Sequence, residues 1–294
     1  NMSLKHDLCI FTPTYNRAYC LSDLFESLCR QTSQTFSWLI VDDGSTDNTR
    51  NLISSLKSRS PFHITYLYQE NGGKQRAFNN GVKHCNSELF MCVDSDDTIP
   101  EDMVETVLAR WNEVCHDQMI AGIIGMCGKD ATTPLCSAFP DNLQRTTMWD
   151  MYYKYRHKGD TALAYRTAIL AKYPFEVGPD EKFIAETFVF HQIDQQYQLA
   201  IVPKVLIIAR YRPDGYTANV RKITRENPIG YTKLKRMYIE YADSWGLRYY
   251  ETILYLVGCH FAKQPKAISN APYPWLAVAA WIPAQLLCHT IYRP

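Results

Sequence analysis

Short apolar runs alternate with helix-periodic stretches through the first 126 residues. No other feature constrains the fold as much, because this is the pattern of a parallel sheet joined by crossover helices. Leu8-Cys9-Ile10-Phe11-Thr12 reads as the first strand and Trp38-Leu39-Ile40-Val41 as the second. Ile64–Tyr68, Glu88–Val93 and Met119–Met126 follow as the third, fourth and fifth. The first helix is expected to be capped by Ser22, with Leu24, Phe25 and Leu28 facing inward. A second starts near Asp47, a third covers Lys74 to His84, and Pro100 opens a fourth whose Glu101 and Asp102 suit the helix dipole. Polar residues gather where the strands end, at 12–17, 42–47, 70–74 and 94–97. Ligands of open parallel sheets bind beyond the carboxyl ends of the strands, so the four clusters should converge on one cleft.

The second half is less regular. Helices are expected at Thr147–Tyr155, Glu186–Gln196 and Pro228–Ser244, and a strand near Leu199–Arg210. With 46% apolar and 21% charged residues the chain has ordinary globular composition. The balance of 31 Lys and Arg against 30 Asp and Glu lacks the basic excess expected of a nucleic-acid binder. Ten cysteines are scattered without a Cys-x-x-Cys pair, so zinc or redox spacing is missing. Cys9 and Cys92 read as small buried apolar groups, no charged-then-apolar leader opens the chain, and a reducing cytosol is the expected compartment.

The strongest local signal is Asp94-Ser95-Asp96-Asp97, directly after the apolar run Leu89–Val93. Three carboxylates within four residues repel one another unless water or a divalent cation offsets the charge. Mg²⁺ or Mn²⁺ carrying a diphosphate is the natural partner; a solvated acidic turn is the plainer alternative. The turn has company in Thr12-Pro13-Thr14-Tyr15-Asn16-Arg17, in Val41 through Asp47, and in Asn71-Gly72-Gly73-Lys74 through Asn80-Gly81. Together these four ordered motifs resemble family 2 glycosyltransferases of the GT-A fold, over roughly residues 7 to 215.

The resemblance implies an α/β fold with a mixed, mainly parallel sheet. It divides a domain at 1–225 into a nucleotide-sugar-binding half (7–126) and an acceptor half (127–225), with a helical extension at 226–294. It places Thr12, Pro13, Tyr15, Asp42 and Ser95 around the nucleotide, with Asp42 suited to a uracil edge and Tyr15 to stacking. Asn71 and Lys74 would reach the base or diphosphate, and Arg17 a phosphate or the surface. Asp94 would face ribose or metal, and Asp96 would ligate Mn²⁺ or Mg²⁺. Asp47 reads as a helix cap.

The implied reaction is inverting transfer from a nucleotide sugar, with UDP the favoured nucleotide, to a hydroxyl of a glycan or lipid-linked acceptor in cell-surface polysaccharide synthesis. Inversion needs a carboxylate base. The family often shows a Glu-Asp pair at the start of a helix, in the position of Glu186-Thr187 here; Glu186 is therefore the candidate, with Asp180, Glu181 and Asp160 as weaker ones. His191 reads as a core or acceptor-site residue. Tyr211–Thr217 looks like a loop whose Arg212 could close over the diphosphate, or a plain connection.

Residues 271–284 form an uncharged run shorter than the roughly 20 residues of a membrane span. With Trp275, Trp281, Tyr273 and Tyr292 it suits peripheral contact with the inner face of a membrane, or else packing on the protein's own core or in a homo-oligomer. Arg221, Lys222, Arg225, Lys233, Lys235 and Arg236 could add attraction to anionic lipid. Two rival functions are a non-catalytic nucleotide-sugar-binding module, suggested by Thr187, and a haloacid-dehalogenase-type phosphatase, suggested by Asp94-x-Asp96-x-Thr98. The second rival is weak, since that motif normally follows the first strand of its fold.

Overall fold

The computed structural model describes residues 8–210 and 220–292, which form two compact units. The first holds the chain up to Pro174 together with Val189–Arg210; the second holds Phe175–Phe188 and the chain after Arg210.

The first unit is built on one eight-stranded sheet. The chain enters through β1 (Leu8–Thr14), α1 (Ala18–Cys29), β2 (Phe36–Asp42), α2 (Thr49–Arg59), β3 (His63–Tyr68), α3 (Lys74–His84), β4 (Leu89–Cys92), α4 (Met103–Val114) and β5 (Ile120–Gly128). After β5 come β6 (Arg145–Thr146), a single π-helical segment at Asp150–Lys154, β7 (Thr161–Arg166), the one-turn α5 (Thr167–Leu170), α6 (Thr187–Ile193) and β8 (Gln198–Ile208). The order across the sheet is β3-β2-β1-β4-β7-β5-β8-β6. β1 pairs in parallel with both β2 and β4, so the winding reverses at β1 and leaves a crevice at the carboxyl ends of these strands. β7 runs antiparallel between β4 and β5, which makes the sheet mixed.

Strands buried on both faces read as unbroken apolar runs, and β1 is buried from end to end. On one face Leu8, Ile10, Trp38, Ile40 and Met91 pack with Leu24, Leu28, Val104 and Trp111. Each side chain of this size, fully buried, contributes roughly 1.5–3 kcal/mol. Phe11, pointing to the other side, stacks on Phe90 at 4.9 Å and meets Phe78 edge-on at 5.5 Å. Gly81 lets α3 lie this close: a Cβ there would stand 2.6 Å from the Phe11 ring.

Several expected boundaries move. Ser22 lies inside α1, whose first turn is held by Asp47, and β7 and the short β6 were not expected at all. The segment expected as a helix at Thr147–Tyr155 is π-helical over Asp150–Lys154.

The second unit contains α7 (Val220–Glu226), α8 (Pro228–Tyr241), α9 (Trp245–Phe261) and α10 (Pro274–His289). Ile239, Tyr255, Leu256, Ala277, Ala280, Ala284 and Cys288 form its core. The expected 228–244 helix ends at Tyr241, where Ser244 starts α9 by accepting from the Leu247 N–H at 3.2 Å. Four of the six cations expected to face lipid are spent in ion pairs instead: Lys222 with Glu226, Lys233 with Glu176, Lys235 with Glu251 and Arg236 with Glu240. No helix among the described residues is long and apolar enough to cross a membrane.

Candidate functional site

The loops after β1 and β2 are stitched together by side chains that cap helices. Asn16 takes a left-handed conformation (φ 53°); its backbone N–H donates to Ser45 Oγ at 2.8 Å, and its Oδ1 accepts from the Thr46 N–H at 2.8 Å. Asp47 accepts from the Ala18 N–H at the start of α1 and from the Thr49 N–H at the start of α2, so one carboxylate serves two helix ends. Burial pushes its carboxyl up, but these bonds and the one from the Thr49 hydroxyl outweigh that and lower it.

At the end of β2 two adjacent carboxylates divide the work. Asp42 Oδ1 accepts from the Ser45 N–H at 2.8 Å, and its Oδ2 accepts from the Tyr66 hydroxyl at 2.7 Å. Tyr66 also bonds to Arg50; burial and Asp42 push its phenol up to about 12. Asp43 faces the next loop. Its Oδ1 accepts from Gln69 Nε2 and the Gly72 N–H, both at 2.8 Å. Its Oδ2 accepts from the Gly73 N–H at 2.8 Å and from Asn71 Nδ2 at 3.2 Å. Asp43 thereby sets the 71–73 loop and the start of α3. Gly44 (φ +87°) and Gly73 (φ +97°) occupy the left-handed conformations that these turns require.

α3 begins at Lys74, whose Nζ lies 2.8 and 2.9 Å from the two oxygens of Asp94. On the same acidic turn Asp96 lies 3.5 Å from the Arg17 guanidinium, which also donates to Tyr19 Oη at 2.7 Å. Asp97 accepts from the Arg210 N–H at 3.0 Å, yet burial, then Asp94, then Asp96 push its carboxyl up to about 7. Thr98 pairs with Ile208, which fastens the turn to the end of β8.

The structure thus brings Arg17, Lys74, Asp94 and Asp96 together; Asp42, buried, ends β2, and Asn71 lies in the loop before α3. Asn71 uses its amide on the Asp43 carbonyl at 2.8 Å. Tyr15 is exposed, as a stacking residue must be. Thr12 and Pro13 both lie buried within β1, and the Thr12 hydroxyl accepts from the Trp38 indole N–H at 2.9 Å. Ser95 is also buried. The sequence reading gave Asp43 no role beyond the motif; its adjacency to Asp42 and the glycines 29 and 30 residues on was the available signal.

Among the described residues no three carboxylates, histidines or cysteines are already clustered as a metal cage. The residues nonetheless suit a hard divalent cation. Three carboxylates crowd one turn, one is pushed toward protonation by burial and then by its neighbours, and Mg²⁺ and Mn²⁺ need only one or two carboxylates when phosphate and water complete the shell.

In the second unit Glu181 is buried, its two oxygens accepting from the Ile229 and Gly230 N–H groups at 2.6 and 2.7 Å. It caps α8 and is removed as a candidate base. Glu186 is half-buried, immediately before α6, and the Thr187 hydroxyl accepts from Tyr238 Oη at 2.9 Å. His191, in the first unit, is a core residue: 2% exposed, with Nδ1 3.0 Å from Asp194 and its ring edge-on to Trp149. Asp160 and Asp180 are exposed. Tyr211–Thr217, with Arg212, lies outside the described residues.

A reversed parallel winding in a mixed sheet, with an acidic turn facing two cations, is the architecture of an α/β protein of the GT-A type. The family model described as glycosyl transferase family 2 matches residues 9–173, and the chain belongs to that family. Glycosyltransferase GlyG of Streptococcus pneumoniae serotype 4 is 34% identical over 112 residues, 38% of this chain and 37% of that protein. A Staphylococcus aureus poly-beta-1,6-N-acetyl-D-glucosamine synthase is 29% identical over 111 residues, 38% of this chain and 26% of that protein. The match therefore spans little more than a third of these relatives, or less. S. aureus TarS 1-349 in complex with UDP superposes with a TM-score of 0.54 at 19% identity, covering 87% of this chain and 72% of that one. The mannosyltransferase PcManGT from Pyrobaculum calidifontis, in complex with GDP-Man and Mn²⁺, gives 0.55 at 17% identity, covering 98% and 82%.

Proposed function

We propose that the chain is an inverting, metal-dependent glycosyltransferase. It moves a sugar from a UDP-sugar to a hydroxyl of a glycan or lipid-linked acceptor in building a cell-surface polysaccharide. The observation that carries this reading is the pairing of Lys74 with Asp94 and of Arg17 with Asp96 at the crevice where β1, β2 and β4 end. Two cations held by two carboxylates can exchange partners. Asp96 and Asp94 would hold Mn²⁺ or Mg²⁺, while Lys74 and Arg17 turn to the diphosphate oxygens. The bound cation neutralises charge building on the leaving diphosphate, an effect worth several kcal/mol.

Asp42 is the group for the base. Ser45 and Tyr66 each take one lone pair of a different oxygen, so each oxygen keeps another for the uracil imide N–H. The ligands of the TarS structures, UDP and UDP-GlcNAc, support uracil over the guanine of the PcManGT complex. Glu186 would take the proton of the acceptor hydroxyl as it attacks the anomeric carbon, a contribution of about a hundred- to ten-thousand-fold.

Two variants test the assignment. Asp96→Ala should lose metal-dependent donor binding, and retention of that binding removes Asp96 as a ligand. Glu186→Gln should nearly abolish transfer with UDP affinity unchanged; undiminished transfer rejects Glu186 as the base. Thr187, a hydroxyl where the family often carries a carboxylate, favours a second reading, a non-catalytic nucleotide-sugar-binding module. In that case no acceptor is glycosylated and Glu186→Gln changes nothing.

A further inference from the structure

One side of α10 is an apolar surface turned to solvent. Leu276, Ala277, Ala280, Ala284 and Cys288 are buried in the second unit. Trp275, Val278, Trp281, Ile282 and Leu286 stand 43–70% exposed, and Val278, Ile282 and Leu286 recur at four-residue spacing along the outward face. Residues 274 to 288 contain no charge. A contiguous apolar helix face is not a normal solvent surface; it marks a place where another phase or molecule docks.

The charges around the helix name the partner. Trp245 meets Trp275 at 5.4 Å and His260 meets His289 at 5.9 Å, so α9 and α10 run side by side in the same direction. At the starting end Arg248 lies over the rings of Trp245 and Tyr273 at 4.8 and 5.4 Å. At the finishing end Arg225 donates to the Tyr292 carbonyl at 3.4 Å. Lys263 and Lys266 are exposed on the connection between the two helices. From Ser244 to Tyr292 the only carboxylate is Glu251, which is buried and 2.9 Å from Lys235; Asp243 just precedes the stretch. An apolar face with tryptophans at its start, on a stretch whose exposed charges are cationic, complements an anionic phospholipid surface, where aromatic rings sit at headgroup level and each cation near the surface adds attraction.

We propose that α10 docks the protein on an anionic bilayer, lying in the plane of the interface. Its other face is committed to the protein core, and 16 residues, about 24 Å of helix, fall short of the roughly 30 Å hydrocarbon layer. The helix therefore lies on the membrane without crossing it. The surface is independent of the donor site and stands whether or not the proposed transfer reaction does.

The test is sedimentation of the full chain with phosphatidylcholine vesicles, with and without phosphatidylglycerol, at low and high salt. Wild type should bind the phosphatidylglycerol vesicles, release with salt, and shift its tryptophan fluorescence to the blue. Ile282→Asp and Leu286→Asp replace solvent-facing residues, so thermal unfolding should match wild type while vesicle binding falls about tenfold or more. Lys263→Glu with Lys266→Glu should remove most of the salt-sensitive part. Absence of wild-type binding, or binding untouched by Ile282→Asp, overturns the proposal. So does a stable dimer in analytical ultracentrifugation that Ile282→Asp dissociates, since that makes the face an interface between copies.

Discussion

Replacing Asp43 tests how the crevice is built, because this one carboxylate holds the loop that delivers Lys74. Its oxygens accept from Gln69, Asn71 and the backbone N–H groups of Gly72 and Gly73, and it is 5% exposed. In Asp43→Ala the two glycine N–H groups lose their acceptor within folded structure. A buried donor left without a partner costs about 1–3 kcal/mol; Gly72 and Gly73 are half-buried and water can partly replace the carboxylate, so the unfolding free energy should fall by about 1–3 kcal/mol for the pair. Gln69→Ala removes one side-chain donor and leaves the carboxylate its backbone partners, so its cost should be nearer 1 kcal/mol. Urea unfolding followed by circular dichroism measures both differences. UDP calorimetry on the folded variant should show weaker binding as well, because Lys74 follows Gly73 directly. An Asp43→Ala protein within about 0.5 kcal/mol of wild type, the range of ordinary surface changes, would refute the reasoning.

Tyr66→Phe removes the phenol that orients Asp42 and should weaken UDP binding several-fold while costing about 1 kcal/mol of stability by urea unfolding; unchanged affinity would show that the contact is structural only. Asp97 carries a folded-state carboxyl raised to about 7, well above its unfolded value near 4. The folded state therefore holds the extra proton between these values, and metal-free stability should fall as pH rises from about 4 through 7. Asp97→Asn should flatten that slope in thermal unfolding, and an equally steep slope in the variant would contradict it. Glu251→Gln strands the Lys235 ammonium, 12% exposed beneath Tyr231 and Tyr238, and should cost about 3–5 kcal/mol by chemical unfolding. Lys235→Met added to it should recover part of the loss.

The parallel half of the fold was legible because its strands are buried on both faces. Runs such as Leu8–Thr12 and Trp38–Val41 carry one unambiguous pattern, and α3 falls at Lys74–His84 as read. β7 was not legible: Thr161-Ala-Leu-Ala-Tyr-Arg166 is short and rich in alanine, and its place between β4 and β5 is fixed by pairing with residues 35 to 77 positions away. Ser22 misled because its type suits a cap, whereas the first turn of α1 is served by Asp47, 29 residues ahead. At the site, motif membership located the loops but not which side chains turn inward. Thr12 looked available, yet its strand position faces Trp38, whose indole N–H donates to its hydroxyl. Glu186 ranked ahead of Glu181 in sequence, but that Glu181 caps a helix is visible only from the backbone of α8. The exposed face of α10 was visible as an uncharged run, but which of its residues turn outward depends on its packing in the second unit.

Calorimetric titration of UDP into the purified protein, with Mn²⁺ and again with EDTA, tests the central claim most directly, with GDP and dTDP run beside it. The account predicts binding of UDP that requires the metal and disappears in Asp96→Ala. Binding that is indifferent to EDTA, or no binding of any of the three nucleotides, would contradict it.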